Sequence, residues 1–150
     1  MKLCLPHGYD AEPMIRTIWP EPYATPAVEA FKADHATGQI FMIADGSTMI
    51  GLTGYFFEGS DPPLVYQRWT GVRPSYRRLG VGARALKLLV EHLREETWAT
   101  KLVELVPDNE YGKPVEEFFL AQGFVRNDVP IPPNENSDWP CIAMTLSLQD

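Results

Sequence analysis

Apolar residues recur along this chain at two spacings. From Ala83 to about Trp98, Leu86, Leu89, Val90 and Leu93 fall at i, i+3, i+4 and i+7, one apolar stripe on a helix. Pro114 to Gln122 reads as another helix, with Val115, Phe118 and Phe119 inward and Gly123 as its stop. Near the start, Asp10 is placed to cap a helix running to about Trp19, with Pro13 tolerated in its first turn. Pro20, Pro22 and Pro26 then interrupt the chain, and Ala27 to Ala36 is predicted as a second helix ended by Gly38. Strand patterns cover Lys2 to Leu5, Ile40 to Ala44, Met49 to Phe57, Leu64 to Val72, Lys101 to Val106, Phe124-Val125 and Cys141 to Leu148. Asp45-Gly46 is a strong hairpin signal, and Pro74 ends the 64–72 strand. The Pro/Asn-rich stretch from Pro130 to Pro140 reads as a flap or rim. Early hairpins and a late crossover predict an α+β domain with a mixed sheet.

Length and composition narrow the class. The 150 residues suit one domain, spanning 1–150, large enough to bury a core without a disulfide or metal. Hydrophobic residues at 45% and charged residues at 22% indicate a globular chain. No apolar run approaches the ~20 residues of a membrane span. The apolar part of Met1 to Pro6 is too short for a secretory signal. Cys4 and Cys141 make no disulfide framework, and no Cys/His cluster has zinc spacing, so no metal is expected. The cytoplasm is the expected compartment.

Charge locates the chemistry. Thirteen cations against twenty acids give a net −7, a poor balance for wrapping nucleic acid. Yet residues 62 to 90 hold Arg68, Arg73, Arg77, Arg78, Arg84 and Lys87 and no acid. Outside that window the chain carries −13. A local +6 asks for a local anion, although a solvated basic helix face is the plainer reading of charge alone. Inside the window, Val72-Arg73-Pro74-Ser75-Tyr76-Arg77-Arg78-Leu79-Gly80-Val81-Gly82-Ala83 joins a strand to the amphipathic helix. Two glycines let backbone N–H groups converge, and the helix adds its unsatisfied N–H groups and positive dipole end. Such a bend binds a diphosphate. A Walker loop is absent. Gly80-x-Gly82-x-x-Ala85 meets the relaxed dinucleotide fingerprint, but residues 74–78 intervene between strand and glycines.

The pattern Arg77-x-x-Gly80-x-Gly82 after Val72-x-Pro74 resembles the acetyl-CoA motif of the GCN5-related N-acetyltransferase (GNAT) superfamily. The likeness covers about residues 40 to 148 in element order and 64 to 124 in motif detail, including Asn109 and Gln122-Gly123-Phe124. It implies a GNAT-like, mostly antiparallel sheet of about six or seven strands flanked by about four helices. It implies acetyl-CoA as cofactor, and transfer of acetyl to a primary amine of a small molecule or peptide by direct attack. By the same resemblance the backbone near Val72 pairs with the pantetheine arm in a gap between splayed strands. The N–H groups of Arg78, Leu79, Gly80, Val81, Gly82 and Ala83 hold the pyrophosphate, with Arg73 and Arg77 adjoining, and Asn109 contacts the arm or shapes the gap.

Two family features are missing. The Tyr that often protonates the thiolate is replaced by Phe119, leaving Tyr111 as a substitute or as an ordinary loop aromatic. Members often carry a Glu on the strand before the loop, where this chain offers Tyr66, Arg68 and Thr70. Glu104 on the neighbouring strand is therefore the candidate base, Glu58 the runner-up, and a solvent-facing strand charge the alternative. His7, His35 and His92 are not favoured as catalysts. Tyr55, Phe56, Phe57, Tyr66 and Trp69 are core aromatics or walls of an acceptor pocket, with Trp139 as a lid. The acidic remainder favours a cationic acceptor, and a homodimer is left open. The rival readings are a module of the same fold that binds acyl-CoA without transfer, and an acetylase of charged tRNA, which the −13 opposes.

Overall fold

The structure, a computed structural model, describes residues 1–6, 8–32, 38–57, 63–67, 69–110, 112–127 and 140–149. The elements in chain order are β1 (Lys2–Cys4), α1 (Glu12–Ile18), α2 (Ala24–Lys32), β2 (Gly38–Asp45), β3 (Thr48–Phe57), β4 (Leu64–Gln67), β5 (Gly71–Val72), α3 (Val81–Glu96), β6 (Lys101–Pro107), α4 (Lys113–Ala121), β7 (Val125–Arg126) and β8 (Cys141–Ser147). A single 3₁₀ turn, Pro74–Tyr76, stands between β5 and α3. The strands form one sheet in the order β1-β2-β3-β4-β6-β8-β7, with β5 also on β3. All pairs are antiparallel except β4 with β6.

The hairpin at Asp45-Gly46 forms as expected, with Gly46 at φ +60 in the left-handed conformation such turns require. Side chains alternate across the sheet and build cores on its two faces. Met42 and Leu52 pack on one face against Met14, Ile15 and Ile18 of α1 and Ala27 and Val28 of α2. Phe41, Val65, Leu102, Val106 and Met144 pack on the other against Leu86, Leu89 and Leu93 of α3 and Phe119 of α4. The stripe read from the sequence is thus the buried face of α3.

Four expectations need correction. The strand expected over 64–72 is two strands, interrupted at Trp69, whose φ of +50 takes the chain out of an extended path. This split raises the strand count to eight. Helix α2 starts at Ala24, so Pro26 lies in its first turn, where a missing N–H leaves no intrahelical bond unmade. Gly38 opens β2, and residues 33–37, where the expected end of this helix falls, lie outside the described residues. Helix α3 starts two residues early, at Val81, because Gly80 at φ +76 is its N-cap. In α4, Val115 is exposed and Phe119 alone is fully buried. The expected flap is described only at Pro140.

Candidate active site

Strand β4 lies against β6 from Leu64 opposite Lys101 to Tyr66 opposite Val103. Pairing stops there. Strand β5 bonds only to β3, and β6 from Glu104 onward bonds only to β8. A gap therefore opens between β5 and the second half of β6. The break is fixed from below by α1. The rings of Trp19 and Trp69 meet edge to face at 5.6 Å, and a Cβ on Gly71 would press into Ile18 and Trp19.

The bend toward α3 leaves the sheet beside this gap. Arg73 donates from Nε to the Met49 carbonyl at 2.8 Å, tying the bend to β3. Arg77 donates from Nε to the Val72 carbonyl at 3.1 Å and from Nη2 to the Ile18 carbonyl at 3.0 Å. Arg78 at φ +63 and Gly80 at φ +76 then turn the chain into α3. A left-handed arginine costs about 1 kcal/mol or more, and such strain gathers at functional sites. The first helical bond is from the Arg84 N–H to the Gly80 carbonyl at 3.1 Å, and the first turn holds no acid. The N–H groups of Val81, Gly82 and Ala83 thus have no partner within the helix. They adjoin a cavity of about 440 Å³ whose walls include Thr70, Val72, Arg77, Gly80, Gly82 and Phe118.

A buried polar set stands where the strands part. Gln67 follows the last paired residue of β4, and Glu104 the last of β6. Gln67 donates from Nε2 to Thr70 Oγ1 at 2.7 Å and to Thr53 Oγ1 at 3.4 Å, and the two hydroxyls lie 2.8 Å apart. Gln67 Oε1 and Glu104 Oε2 are buried without a hydrogen-bond partner. Strand alternation puts Glu104 on the face of Leu102 and Val106, under α3 and α4. Burial pushes its carboxyl up to about 8 from 4.5. The residue as a whole is half-buried and its Oε2 is enclosed, unlike a solvent-facing strand-edge charge.

Of the residues expected to contact the cofactor, Val72, Arg77, Arg78, Gly80, Gly82 and Ala83 share the cavity. The side chains of Arg73, Leu79 and Val81 do not. Arg73 is bound to β3, Leu79 is exposed, and Val81 is buried against Ile43, Ile50 and Ala85. Asn109 sits at the turn after β6, where its Oδ1 accepts from the Gly112 N–H at 3.1 Å. Tyr111, Glu58, Arg68, Trp139, His7 and His35 lie outside the described residues. His92 packs between Phe41 and Tyr55, with ring centroids at 4.9 and 5.9 Å. Phe119 is buried against Phe118 and Phe124, and Phe118 is the α4 ring that reaches the cavity. The expected aromatic set divides by strand face: Phe56 stacks on Tyr66, and Tyr55 meets Phe57 edge to face. Sequence reading missed Thr53 and Gln67. Their signal was a polar residue at an inward strand position, at Gly51-x-Thr53 and Val65-x-Gln67.

The model of the Acetyltransferase (GNAT) family matches residues 9–124. The chain belongs to this family. A search of curated proteins finds no sequence match. Among solved structures, this GNAT domain is similar to an aminoglycoside 6'-N-acetyltransferase complexed with coenzyme A, at TM-score 0.71 and 15% identity over 100% of this chain and 98% of that one. It is similar to a spermidine N-acetyltransferase chimera from Vibrio cholerae and hSSAT, at TM-score 0.74 and 12% identity over 98% of this chain and 94% of that one. The ribosomal-protein-S18-alanine N-acetyltransferase from Escherichia coli gives TM-score 0.66 and 15% identity over 93% and 86%. These likenesses show the fold. Acetyl-CoA is the cofactor of the GNAT family. The bend fits it: a left-handed glycine cap, an acid-free first turn and a cavity between the turn and the strand gap. Among the described residues no helix is long and apolar enough to cross a membrane, and no group of three or more His, Cys, Asp or Glu could hold a metal.

Arg77→Ala removes the two bonds that join the bend to β5 and α1. We expect a loss of about 1–2 kcal/mol in urea unfolding and roughly tenfold weaker acetyl-CoA binding by calorimetry. Wild-type values of both would exclude a role for this tether.

Proposed function

We propose that this GNAT domain, spanning residues 1–150, moves an acetyl group from acetyl-CoA to a primary amine of a small molecule or peptide by direct attack. The observation that carries the reading is the parting of the strands after Tyr66 and Val103, beside the N-terminus of α3. The N–H groups of residues 78–83 and the helix dipole hold the diphosphate, with Arg77 and Arg78 adding charge. One edge of β5 is occupied by β3, and the other, at Val72, lies toward the gap to receive the pantetheine arm. Asn109 shapes the turn below it.

Acetyl-CoA, when bound, supplies the thioester carbonyl that the amine attacks. Glu104 receives the amine's proton, directly or through one water. An alkylammonium with pKa near 10.4 must be deprotonated, which costs about 4.6 kcal/mol at pH 7. A carboxylate of ordinary pKa is a poor acceptor for that proton. Burial brings Glu104 to about 8 and closes most of the difference. No cysteine carries an acyl group here, since Cys4 and Cys141 line no part of the cavity. The coenzyme thiol, with a pKa near 8.5, leaves without strong help from an acid, which suits a phenylalanine at position 119. The surplus of acids outside the basic window favours a cationic acceptor.

Calorimetry with acetyl-CoA and release of free thiol over a panel of amines test the reading. Saturable heat together with amine-dependent thiol is expected. Absence of heat would sink the cofactor assignment. Binding without thiol from any amine would leave a module that holds acyl-CoA and transfers nothing.

A further inference from the structure

Helix α3 is charged opposite to what its own dipole favours. Its first turn has no acid, and Arg84 and Lys87 follow, whereas Glu91, Glu95 and Glu96 crowd the C-terminal end. Acids near the start and bases near the end stabilise a helix by about 0.3–1 kcal/mol each, so both ends lose stability here. At the start an anion accounts for the arrangement. At the far end nothing in the acyl-transfer site does. Arg94, the one base of the last turn, donates to the Ser147 carbonyl at 3.3 Å. Among the described residues neither Glu95 nor Glu96 forms an ion pair.

A cavity of about 390 Å³ opens at that end, lined by Tyr55, Phe57, Pro63, Glu96, Thr97 and Trp98. Tyr55 and Phe57 meet edge to face at 5.7 Å. Trp98 is 93% exposed, the most exposed of the large apolar side chains described. The Thr97 hydroxyl is engaged with the Leu93 carbonyl at 2.6 Å. Among the described residues the walls therefore offer aromatic surface, one carboxylate and the negative end of a helix. A metal ion would find a single carboxylate there among the described residues, and an anion would be repelled. A soft organic cation is attracted by the ring faces and by the charge together. We propose that this cavity binds an organic cation, a protonated or quaternary alkylammonium, at a site separate from the acyl-transfer gap. The two sites sit at opposite ends of α3, roughly 22 Å apart at 1.5 Å per residue. The assignment does not depend on catalysis at the gap.

Tryptophan emission tests it, with tetramethylammonium, choline and butylammonium as probes and 3,3-dimethylbutan-1-ol as the neutral isostere of choline. At least one cation is expected to change the emission saturably, and the isostere to bind at least tenfold more weakly. Trp98→Phe identifies the responding ring by losing most of the change. Trp98→Ala should weaken binding, followed by calorimetry, at least tenfold, and Glu96→Gln threefold or more. Both positions are exposed, so melting temperature and acetyl-CoA affinity should stay at wild-type values. No saturable binding of any cation, equal binding of the isostere, or wild-type affinity in both Trp98→Ala and Glu96→Gln would overturn the proposal. So would sedimentation showing a dimer that Trp98→Ala dissolves, because the cavity would then be an interface between copies of the chain.

Discussion

Gly82→Trp is expected to abolish detectable acetyl-CoA binding, a loss of at least a hundredfold, while the fold survives. Gly82 is the second residue of α3 and, unlike Gly80, has no positive φ, so a side chain meets no backbone strain. A Cβ there would approach only the Phe118 ring, at 3.8 Å, which is ordinary contact. Beyond it lies the cavity between the bend and Phe118, and an indole would fill that space. Glycine is also among the poorest helix formers, so replacing it does not lower the propensity of α3. Gly82→Ala should bind within a few fold of wild type, because one methyl leaves most of the cavity open. Calorimetry reads the affinity, and urea unfolding reads the fold. If Gly82→Trp binds acetyl-CoA as wild type does, the diphosphate lies elsewhere and the reading of the bend is wrong. Gly80 is a less clean test, since any other residue at φ +76 disturbs the start of the helix as well.

Glu104→Gln is expected to act on turnover and on stability in opposite directions. Loss of the proton acceptor should lower kcat about a hundredfold or more. The rise of the wild-type rate through about pH 8, where the buried carboxyl ionises, should vanish with it. The stability effect follows from linkage. The carboxyl keeps its proton up to about 8 when folded and releases it near 4.5 otherwise. The folded state thus binds the additional proton, so this contribution to stability is whole below pH 4.5 and is lost as pH rises through 8. Wild type should therefore weaken between pH 5 and pH 9, by up to roughly 4 kcal/mol. The glutamine variant should weaken less and be the more stable protein at pH 9. Urea unfolding at the two pH values measures this, and steady-state rates across the range measure the rest. An unaltered pH–rate profile would remove Glu104 from catalysis. A stability gain without loss of rate would make it a buried structural carboxyl.

The features that could be read from the sequence depend on residues within a few positions of one another. A two-residue hairpin turn favours a glycine at positive φ, and Gly46, with Ser47 between the paired Asp45 and Thr48, makes the hairpin regardless of what packs on it. The stripe of Leu86, Leu89, Val90 and Leu93 names the buried face of α3, because its spacing repeats the helix period. Gly80-x-Gly82 ahead of that stripe marks the start of the helix and the place where its N–H groups are free. Basic charge confined to residues 62–90 added what such a place would attract. Boundaries were less legible, as with Pro26, which looks like a break but is harmless within a first turn.

Tertiary structure decided where the strands part and what lies between them. Nothing near Trp69 in sequence announces that its backbone turns left-handed, since Trp19, fifty residues earlier, holds it there. The partner of β4 is β6, more than thirty residues on, and their pairing ends one step before Gln67 and Glu104. That single register sets an amide pinned by Thr53 and Thr70, and a carboxyl whose Oε2 has no hydrogen-bond partner, each one step past the end of the pairing. The chain by itself determined the bend, the helix behind it and the charge around it, because short-range sterics and helix period fix those. The burial of Glu104, the gap and the cavity at Trp98 came only with folding, because each is made by segments that sequence keeps far apart.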